Sequence, residues 1–175
     1  FGIKGFVLSM IETALDVTDN RAPGRVIREI VAAGQEMLRH PVELLPYARE
    51  TLDALAGGHR LLLITKGDLL DQERKIALSG LGDRFDAIEI VSDKSPPIYA
   101  EVFRRNEADP VRTVMVGNSL KSDVLPVLAL GGWGVHVPHD LTWAYEHEAA
   151  PTDHPRFAEL DHLGHLPDWI ADNRG

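Results

Sequence analysis

The sequence contains no cysteine, which excludes a disulfide framework, a thiolate metal site and a cysteine nucleophile. It is also short of basic residues, with 18 Lys and Arg against 27 Asp and Glu, and these form no block. Because nucleic-acid binding needs clustered cations that neutralise phosphates, we expect no nucleic-acid partner. No apolar run approaches the roughly 20 residues of a membrane-spanning helix, so we expect no membrane association. A cytoplasmic location is therefore predicted.

The first 40 residues carry apolar side chains at helical spacing. This periodicity predicts two helices, at 3–16 and 24–39, that form an amphipathic hairpin. The apolar positions of the first helix are Ile3, Phe6, Val7, Met10, Ile11, Ala14 and Leu15. The hairpin must bury this stripe against another part of the molecule, and it contains no cluster of titratable residues. We therefore interpret it as a packing element or a lid.

From Pro46 onward, short β-favouring apolar runs alternate with helical stretches. The runs predict strands near 61–65, 87–91, 113–116 and 133–137, a short edge strand at 157–160 and a closing helix at 163–170. Such alternation specifies a parallel sheet that is covered by helices on both faces. The predicted fold is thus an α/β, Rossmann-like core at 45–175, preceded by a helical segment at 1–44.

Three predicted strands end at residues that are able to bind an anion or a metal ion. Thr65 ends the first strand, Lys94 follows the second, and Asn118 and Asp123 follow the third. The carboxyl ends of parallel strands, about 4.8 Å apart, converge on one region. A hydroxyl, a cation and a carboxylate gathered there suit a phosphate held beside a metal ion. Each residue taken alone is more often structural, as a turn or helix cap or a solvated lysine.

In such a site, phosphate oxygens are expected to contact Thr65 and the amides of Lys66 and Gly67. Lys94 is expected to neutralise charge on the phosphate, and Asp123 to hold Mg²⁺. These residues therefore predict a site for an anion beside a metal ion.

These residues and their order resemble the haloacid dehalogenase-like superfamily of hydrolases over residues 59–137. The resemblance rests on Thr65 after an apolar strand, on Lys94 in Ser-Asp-Lys-Ser-Pro, and on Gly117-Asn118-Ser119 through Asp123. It implies that Thr65 binds the transferring phosphoryl group, and that Lys94 stabilises this group and the nucleophile. It further implies that Asn118 and Asp123 hold Mg²⁺, that residues 1–44 are part of a helical cap, and that the enzyme is a phosphatase acting through an aspartyl-phosphate.

Two departures from the family pattern stand out. Asn118 occupies a position where the family usually has an acid, which lowers the negative charge available to a cation. The Asp-x-Asp motif that supplies the nucleophile is missing between Phe1 and Thr65, because the pair Asp16 and Asp19 follows a helix rather than a strand. We therefore expect that an apolar strand upstream of Phe1 belongs between the strands ending at Thr65 and Val116. The 175-residue chain is then expected to be incomplete and inactive by itself.

Two alternatives remain open at this point. Asn118 keeps open a metal-independent hydrolase of the dehalogenase type, and the missing nucleophile favours a non-catalytic binding or interaction protein on the same scaffold. The identity of the substrate and the oligomeric state are not specified by the sequence.

Histidines are dense in the last third of the chain but have no compact ligand spacing. They are interpreted as surface or tail residues, although His139-Asp140 follows the fourth strand and could reach the mouth of the site. This group comprises His136, His139, His147, His154, His162 and His165. The tryptophans are interpreted as packing residues rather than as a binding cage: Trp133, Trp143 and Trp169.

Overall fold

The computed structural model describes residues 2–139 and 148–174. Asp140, Trp143 and His147 lie outside the described residues. The described elements are α1 (Ile3–Asp16), α2 (Gly24–Arg39), α3 (Ala48–Leu55), β1 (Leu62–Lys66), α4 (Leu69–Ser79), β2 (Ala87–Val91), α5 (Pro96–Arg105), β3 (Val114–Gly117), α6 (Leu125–Ala129), β4 (Trp133–His136), β5 (Phe157–Glu159) and α7 (Leu166–Arg174). None of the described helices has the length and apolarity needed to cross a membrane.

The chain divides into two compact units, one formed by residues 1–43 with 67–79 and the other by residues 44–66 with 80–175. The division between residues 43 and 44 thus falls next to the predicted boundary at 44/45. Helix α4, which the sequence placed in the core, groups with the helical hairpin instead. The assignment of the two units as cap and core stays a prediction.

The first unit contains the predicted hairpin of α1 and α2, and both helices have the predicted bounds. The helices approach closely where Gly34 meets Val7, because a side chain at Gly34 would collide with the valine side chain. Phe6 and Met10 were expected in the buried stripe, but they are 50% and 37% exposed. The stripe of α1 is therefore wider than the face that the hairpin covers.

The second unit contains only parallel strand pairs among its described strands. β1 pairs with β2, and β3, β4 and β5 form a second sheet in that order. The predicted parallel α/β class and the predicted edge strand are confirmed. The closing helix is confirmed as α7, preceded by a 3₁₀ turn at Leu163–His165.

Helices cover both faces of the second unit. On one face, Tyr99, Val102 and Phe103 of α5 pack with Ile64 and Met115. On the other face, a cluster of Leu55, Val135, Leu166 and Ile170 is joined by Leu61, Val114 and Val116. Ile64 of β1 and Met115 of β3 share the first cluster, and Leu61, directly before β1, shares the second with β3, so the two sheets lie side by side between shared layers.

β1 and β3 are nevertheless not paired with each other, and no described strand lies between them. The carbonyl of Leu61 accepts a hydrogen bond from Asp86 N at 2.8 Å, and that of Thr113 accepts one from Trp133 N at 2.9 Å. Since peptide groups alternate in direction along a strand, those of Ile64 and Val116 point away from the paired neighbours. The two sheets thus present facing open edges, as expected if a further strand belongs between them.

Candidate active site

An ion pair between Lys94 and Asp123 lies beyond the carboxyl ends of the strands. Lys94 belongs to the loop between β2 and α5, and Asp123 belongs to a π-helical turn at Leu120–Val124 that follows β3. Lys94 Nζ lies 2.6 Å from Asp123 Oδ1, and the two side chains are 13% and 6% exposed. The structure therefore brings together two of the predicted site residues, which are 29 positions apart.

The loop that follows β3 holds the Asp123 carboxylate in place. Ser119 N donates to Asp123 Oδ2 at 3.1 Å, and Ser122 N donates to Ser119 Oγ at 2.9 Å. Gly117 lies directly beside the carboxylate, and a side chain at this position would collide with it. The glycine that ends β3 is thus required by the close approach of Asp123.

Tyr99 supports the same turn from the core. Its hydroxyl donates to the carbonyl of Ser122 at 3.1 Å, and its side chain is almost fully buried. Burial, and to a lesser degree the negative charge of Asp123, raise the pKa of Tyr99 well above its ordinary value. The sequence indicated Tyr99 only as an apolar position of α5, because a contact with a turn 23 residues away leaves no local pattern.

A second lysine reaches the turn from β1. Lys66 Nζ donates to Ser122 Oγ at 3.3 Å. Two ammonium groups and one carboxylate thus take part in the contacts described around this turn. Ammonium groups near strand ends can attract an anion.

The other two residues predicted to contact phosphate flank Lys66 in the chain. Thr65 is half-buried at the end of β1, in register with Ile90 of β2. Gly67 belongs to the first unit, has a φ of +154°, and leaves room for Gln72, whose Nε2 would lie 2.8 Å from a β-carbon here. A common pocket for Thr65, Lys94 and Asp123 stays a prediction, as does the part of Gly67.

His136 occupies the end of β4, where its side chain is 12% exposed. Its Nδ1 lies 2.8 Å from Glu159 Oε2, and its Nε2 lies 3.2 Å from the carbonyl oxygen of Asn118. The interpretation of His136 as a surface or tail residue is therefore wrong. The ring was missed because its contacts depend on strand register, in which Gly117, His136 and Glu159 form one row across β3, β4 and β5.

The family resemblance implies that Asn118 and Asp123 hold Mg²⁺. The exposure and hydrogen bonds of these residues show whether their oxygen atoms suit this ion. Asn118 is exposed, and both oxygens of Asp123 accept hydrogen bonds, one of them from a lysine. Within residues 2–139 and 148–174, no group of three or more His, Asp or Glu side chains is placed to hold a metal ion. Mg²⁺ is usually held by one or two carboxylates with water and substrate oxygens, and a lysine-paired carboxylate is a poor donor. The residues present do not by themselves fit Mg²⁺.

Four further rings that the sequence analysis named pack against other aromatic rings of the second unit: His162, His165, Trp133 and Trp169. His162 stacks between Tyr47 and His165, with ring centroids 4.4 and 3.9 Å apart. Trp133 and Trp169 pack edge to face at 5.6 Å, which confirms their interpretation as packing residues.

Comparison with known proteins identifies the family. A family model described as haloacid dehalogenase-like hydrolase matches residues 2–131. The chain belongs to this family. The match spans most of both structural units and includes the Lys94–Asp123 pair, so the resemblance inferred from the motifs is confirmed.

Relatives of this haloacid dehalogenase-like hydrolase include proteins named as phosphatases. A glyceraldehyde 3-phosphate phosphatase from Methanothermobacter thermautotrophicus is 31% identical over 110 residues, which are 58% of this chain and 48% of that protein. A crystal structure of a haloacid dehalogenase-like family hydrolase from Xanthomonas campestris is 44% identical, with a TM-score of 0.90 over 98% of this chain and 73% of that one. A phosphatase from Thermococcus onnurineus, 22% identical with a TM-score of 0.64 over 98% of this chain and 80% of that one, shares the fold. The chain thus spans about half the length of the curated relative that it matches.

Proposed function

We propose that this chain provides the phosphate-binding part of a phosphatase that acts on small phosphate esters. The observation that carries the proposal is the Lys94–Asp123 ion pair beyond the strand ends, with Lys66 bound to the same turn. Asp123 fixes the direction of the Lys94 ammonium group, which then neutralises charge on a phosphoryl group. The name of the curated relative, a phosphatase, supports the same substrate class.

Lys94 is the residue that we expect to contribute most to substrate binding. Its ammonium group has three N–H donors, of which one is used by Asp123 Oδ1. The others can point to phosphate oxygens while the ion pair stays intact. Thr65, at the end of the neighbouring strand, supplies a hydroxyl for a further oxygen. Both side chains bind the phosphoryl group, and neither accepts it covalently.

The nucleophile is proposed to come from a strand that occupies the open place between β1 and β3. The first carboxylate of the Asp-x-Asp motif on that strand attacks phosphorus, and the alcohol leaves with a proton from the second carboxyl group, which later takes a proton from the attacking water. Water then hydrolyses the aspartyl-phosphate, which releases inorganic phosphate and restores the carboxylate. The facing open edges of β1 and β3 support this arrangement, since a strand there would pair on both sides.

Magnesium dependence is proposed only for a protein that contains such a strand. Since the Asp123 carboxylate is paired with Lys94, a carboxylate without a lysine partner is needed beside Asp123 and Asn118 to hold Mg²⁺. The carboxylate of the added strand can fulfil this requirement.

Phosphate binding can be measured on the 175-residue chain by calorimetry with inorganic phosphate or tungstate. We expect binding by the unchanged chain and loss of binding in Lys94→Ala. Lys75→Ala is the matched control, because Lys75 is an exposed lysine of α4 in the other unit. Equal binding by the Lys94→Ala variant would contradict the proposed role.

Turnover is tested by adding a synthetic peptide in trans, with five apolar residues followed by Asp-x-Asp. The chain alone should not hydrolyse p-nitrophenyl phosphate in the presence of Mg²⁺, whereas the mixture should gain activity. A control peptide with Asn-x-Asn should bind without giving activity. Mg²⁺-dependent turnover by the chain alone would mean that the nucleophile lies within the 175 residues.

A hydrolase of the dehalogenase type is the second candidate, and the poor fit of the donor set to Mg²⁺ favours it. A dehalogenase of this kind works without a metal ion, so EDTA separates the two functions. Activity of the peptide-supplemented chain on a 2-haloacid that survives EDTA would support the dehalogenase. Activity on phosphate esters that EDTA abolishes would support the phosphatase.

A further inference from the structure

A single peptide group between Asn118 and Ser119 is held at both ends. Its carbonyl oxygen contacts His136 Nε2 at 3.2 Å, and its N–H donates to Asp123 Oδ2 at 3.1 Å. We propose that His136, oriented by Glu159, is a positioning residue that aims this N–H at Asp123 and thereby fixes the Lys94–Asp123 pair. The expected effect of His136 on phosphate binding rests on the proposed function, whereas its effect on the direction of the Ser119 N–H does not.

Peptide planarity makes this coupling direct. In a trans peptide the C=O and N–H bonds point in opposite directions within one rigid plane. A contact that fixes the direction of the Asn118 carbonyl therefore also fixes the direction of the Ser119 N–H. The donor on one side and the carboxylate acceptor on the other polarise the same group, which strengthens both contacts.

Strand register explains how the histidine reaches this peptide. A backbone hydrogen bond joins the β3 and β4 segments near their carboxyl ends, from Val137 N to the carbonyl of Gly117, at 2.9 Å. The chain after β3 then enters the turn that contains Asp123. The His136 ring contacts the carbonyl of the residue that follows Gly117, which is Asn118. The side chain thus extends the pairing by one position into the loop of the site.

Glu159 gives the ring one orientation. It lies beside His136 in register on β5, and its carboxylate contacts Nδ1 at 2.8 Å. When Nδ1–H donates to the carboxylate, Nε2 is directed at the Asn118 carbonyl, and it donates there in the ring form that carries a proton on both nitrogens. At metal sites, removing a contact that orients a ligating side chain typically changes affinity or activity by about 10–100-fold, and we expect an effect of similar size here.

The decisive measurement is hydrogen exchange of the Ser119 amide by NMR, in the 175-residue chain without ligand. In His136→Ala, we expect this amide to exchange about tenfold faster, the equivalent of one weakened hydrogen bond. The amide of Val102, in the buried core of α5, should keep its rate. His136→Gln should restore slow exchange, since its side-chain amide can donate to the Asn118 carbonyl.

Two further variants complete the comparison. Glu159→Gln should give an intermediate rate at Ser119, because the ring keeps a neighbour but loses its charged acceptor. His59→Ala is the matched control, since His59 also contacts a backbone carbonyl, that of Leu55, but at the opposite end of β1. It should leave the Ser119 amide unchanged. If His136→Ala does not fold, Glu159→Gln and His136→Gln still decide the question.

An unchanged Ser119 rate in His136→Ala, or in Glu159→Gln where the alanine variant does not fold, would overturn the proposal. So would an equal acceleration at Ser119 and Val102, which would indicate a general loss of stability. Phosphate binding measured in parallel should weaken by about 10–100-fold in His136→Ala. If Ser119 responds as expected but the unchanged chain binds no phosphate, the proposed function fails and the positioning role stands.

Discussion

Lys94 and Asp123 form an ion pair of 2.6 Å in which both side chains are nearly buried. Removing one partner of such a pair leaves an uncompensated charge, whereas replacing both by apolar groups often leaves stability unchanged. The pair therefore affects both the stability of the second unit and the charge that is available to bind phosphate. Mutation can separate these two effects.

Lys94→Ala is expected to lower the free energy of unfolding by about 3–5 kcal/mol, because Asp123 is left buried without its counter-ion. Lys94→Met combined with Asp123→Leu should recover most of this loss but should not bind phosphate. Chemical denaturation and calorimetry measure the two effects. In a complete hydrolase, Lys94→Ala should lower turnover by about 10²–10³. Turnover at the unchanged rate would exclude a role in the reaction.

Gly117→Ala is expected to displace the Asp123 carboxylate, since a side chain at this position collides with it. The expected cost is about 1–3 kcal/mol of stability, together with weaker phosphate binding. Gly57→Ala serves as control, because a β-carbon at Gly57 meets no atom within 4 Å. Denaturation of both variants under one set of conditions tests this, and similar stabilities would contradict the packing described.

Tyr99 makes stability depend on pH in the alkaline range. Its pKa is raised in the folded state, first by burial and then by Asp123, whereas an exposed tyrosine ionises near pH 10. The unfolded chain therefore binds fewer protons above about pH 10, and stability should fall as pH rises from there. The tyrosinate absorbance of Tyr99 should therefore appear only when the chain unfolds. Tyr99→Phe should remove that part of the pH dependence, at a cost of about 1 kcal/mol for the bond to Ser122.

The facing edges of β1 and β3 predict an alternating pattern of hydrogen exchange. The amides of Ile64 and Val116 point to the open place, so they should exchange faster than those of Leu63 and Met115, which point to paired strands. A bound Asp-x-Asp peptide should slow Ile64 and Val116 alone. Equal protection of all four amides in the free chain would show that the edges are paired in solution.

The sequence predicted the helices of the hairpin and the positions of the strands along the chain because both are recorded in local periodicity. Asp and Ser are both residue types that favour helix N-termini. Asp68 caps α4, since its Oδ1 accepts from Asp71 N at 3.2 Å, whereas the side chain of Ser95, before α5, makes no such bond. A residue type that suits a cap is thus a weaker signal than a repeat over several turns.

The candidate site was only partly predictable for a related reason. Lys94 and Asp123 were found because each lies just after a predicted strand, and parallel topology brings such positions together. Tyr99 and His136 were missed because their partners, Ser122 and Asn118, are set by packing and by strand register. β1 and β3 belong to separate sheets because no described strand lies between them. The hydrophobic periodicity of the sequence does not by itself reveal such a gap.

The open edges of β1 and β3 also have a consequence for the solubility of the chain. An unprotected strand edge is a template for pairing with another molecule, which leads to aggregation at high concentration. Lys66, exposed at the end of β1, is the kind of charge that hinders such pairing. We therefore expect that a peptide bound between β1 and β3 will suppress self-association of the chain even where it restores no hydrolytic activity.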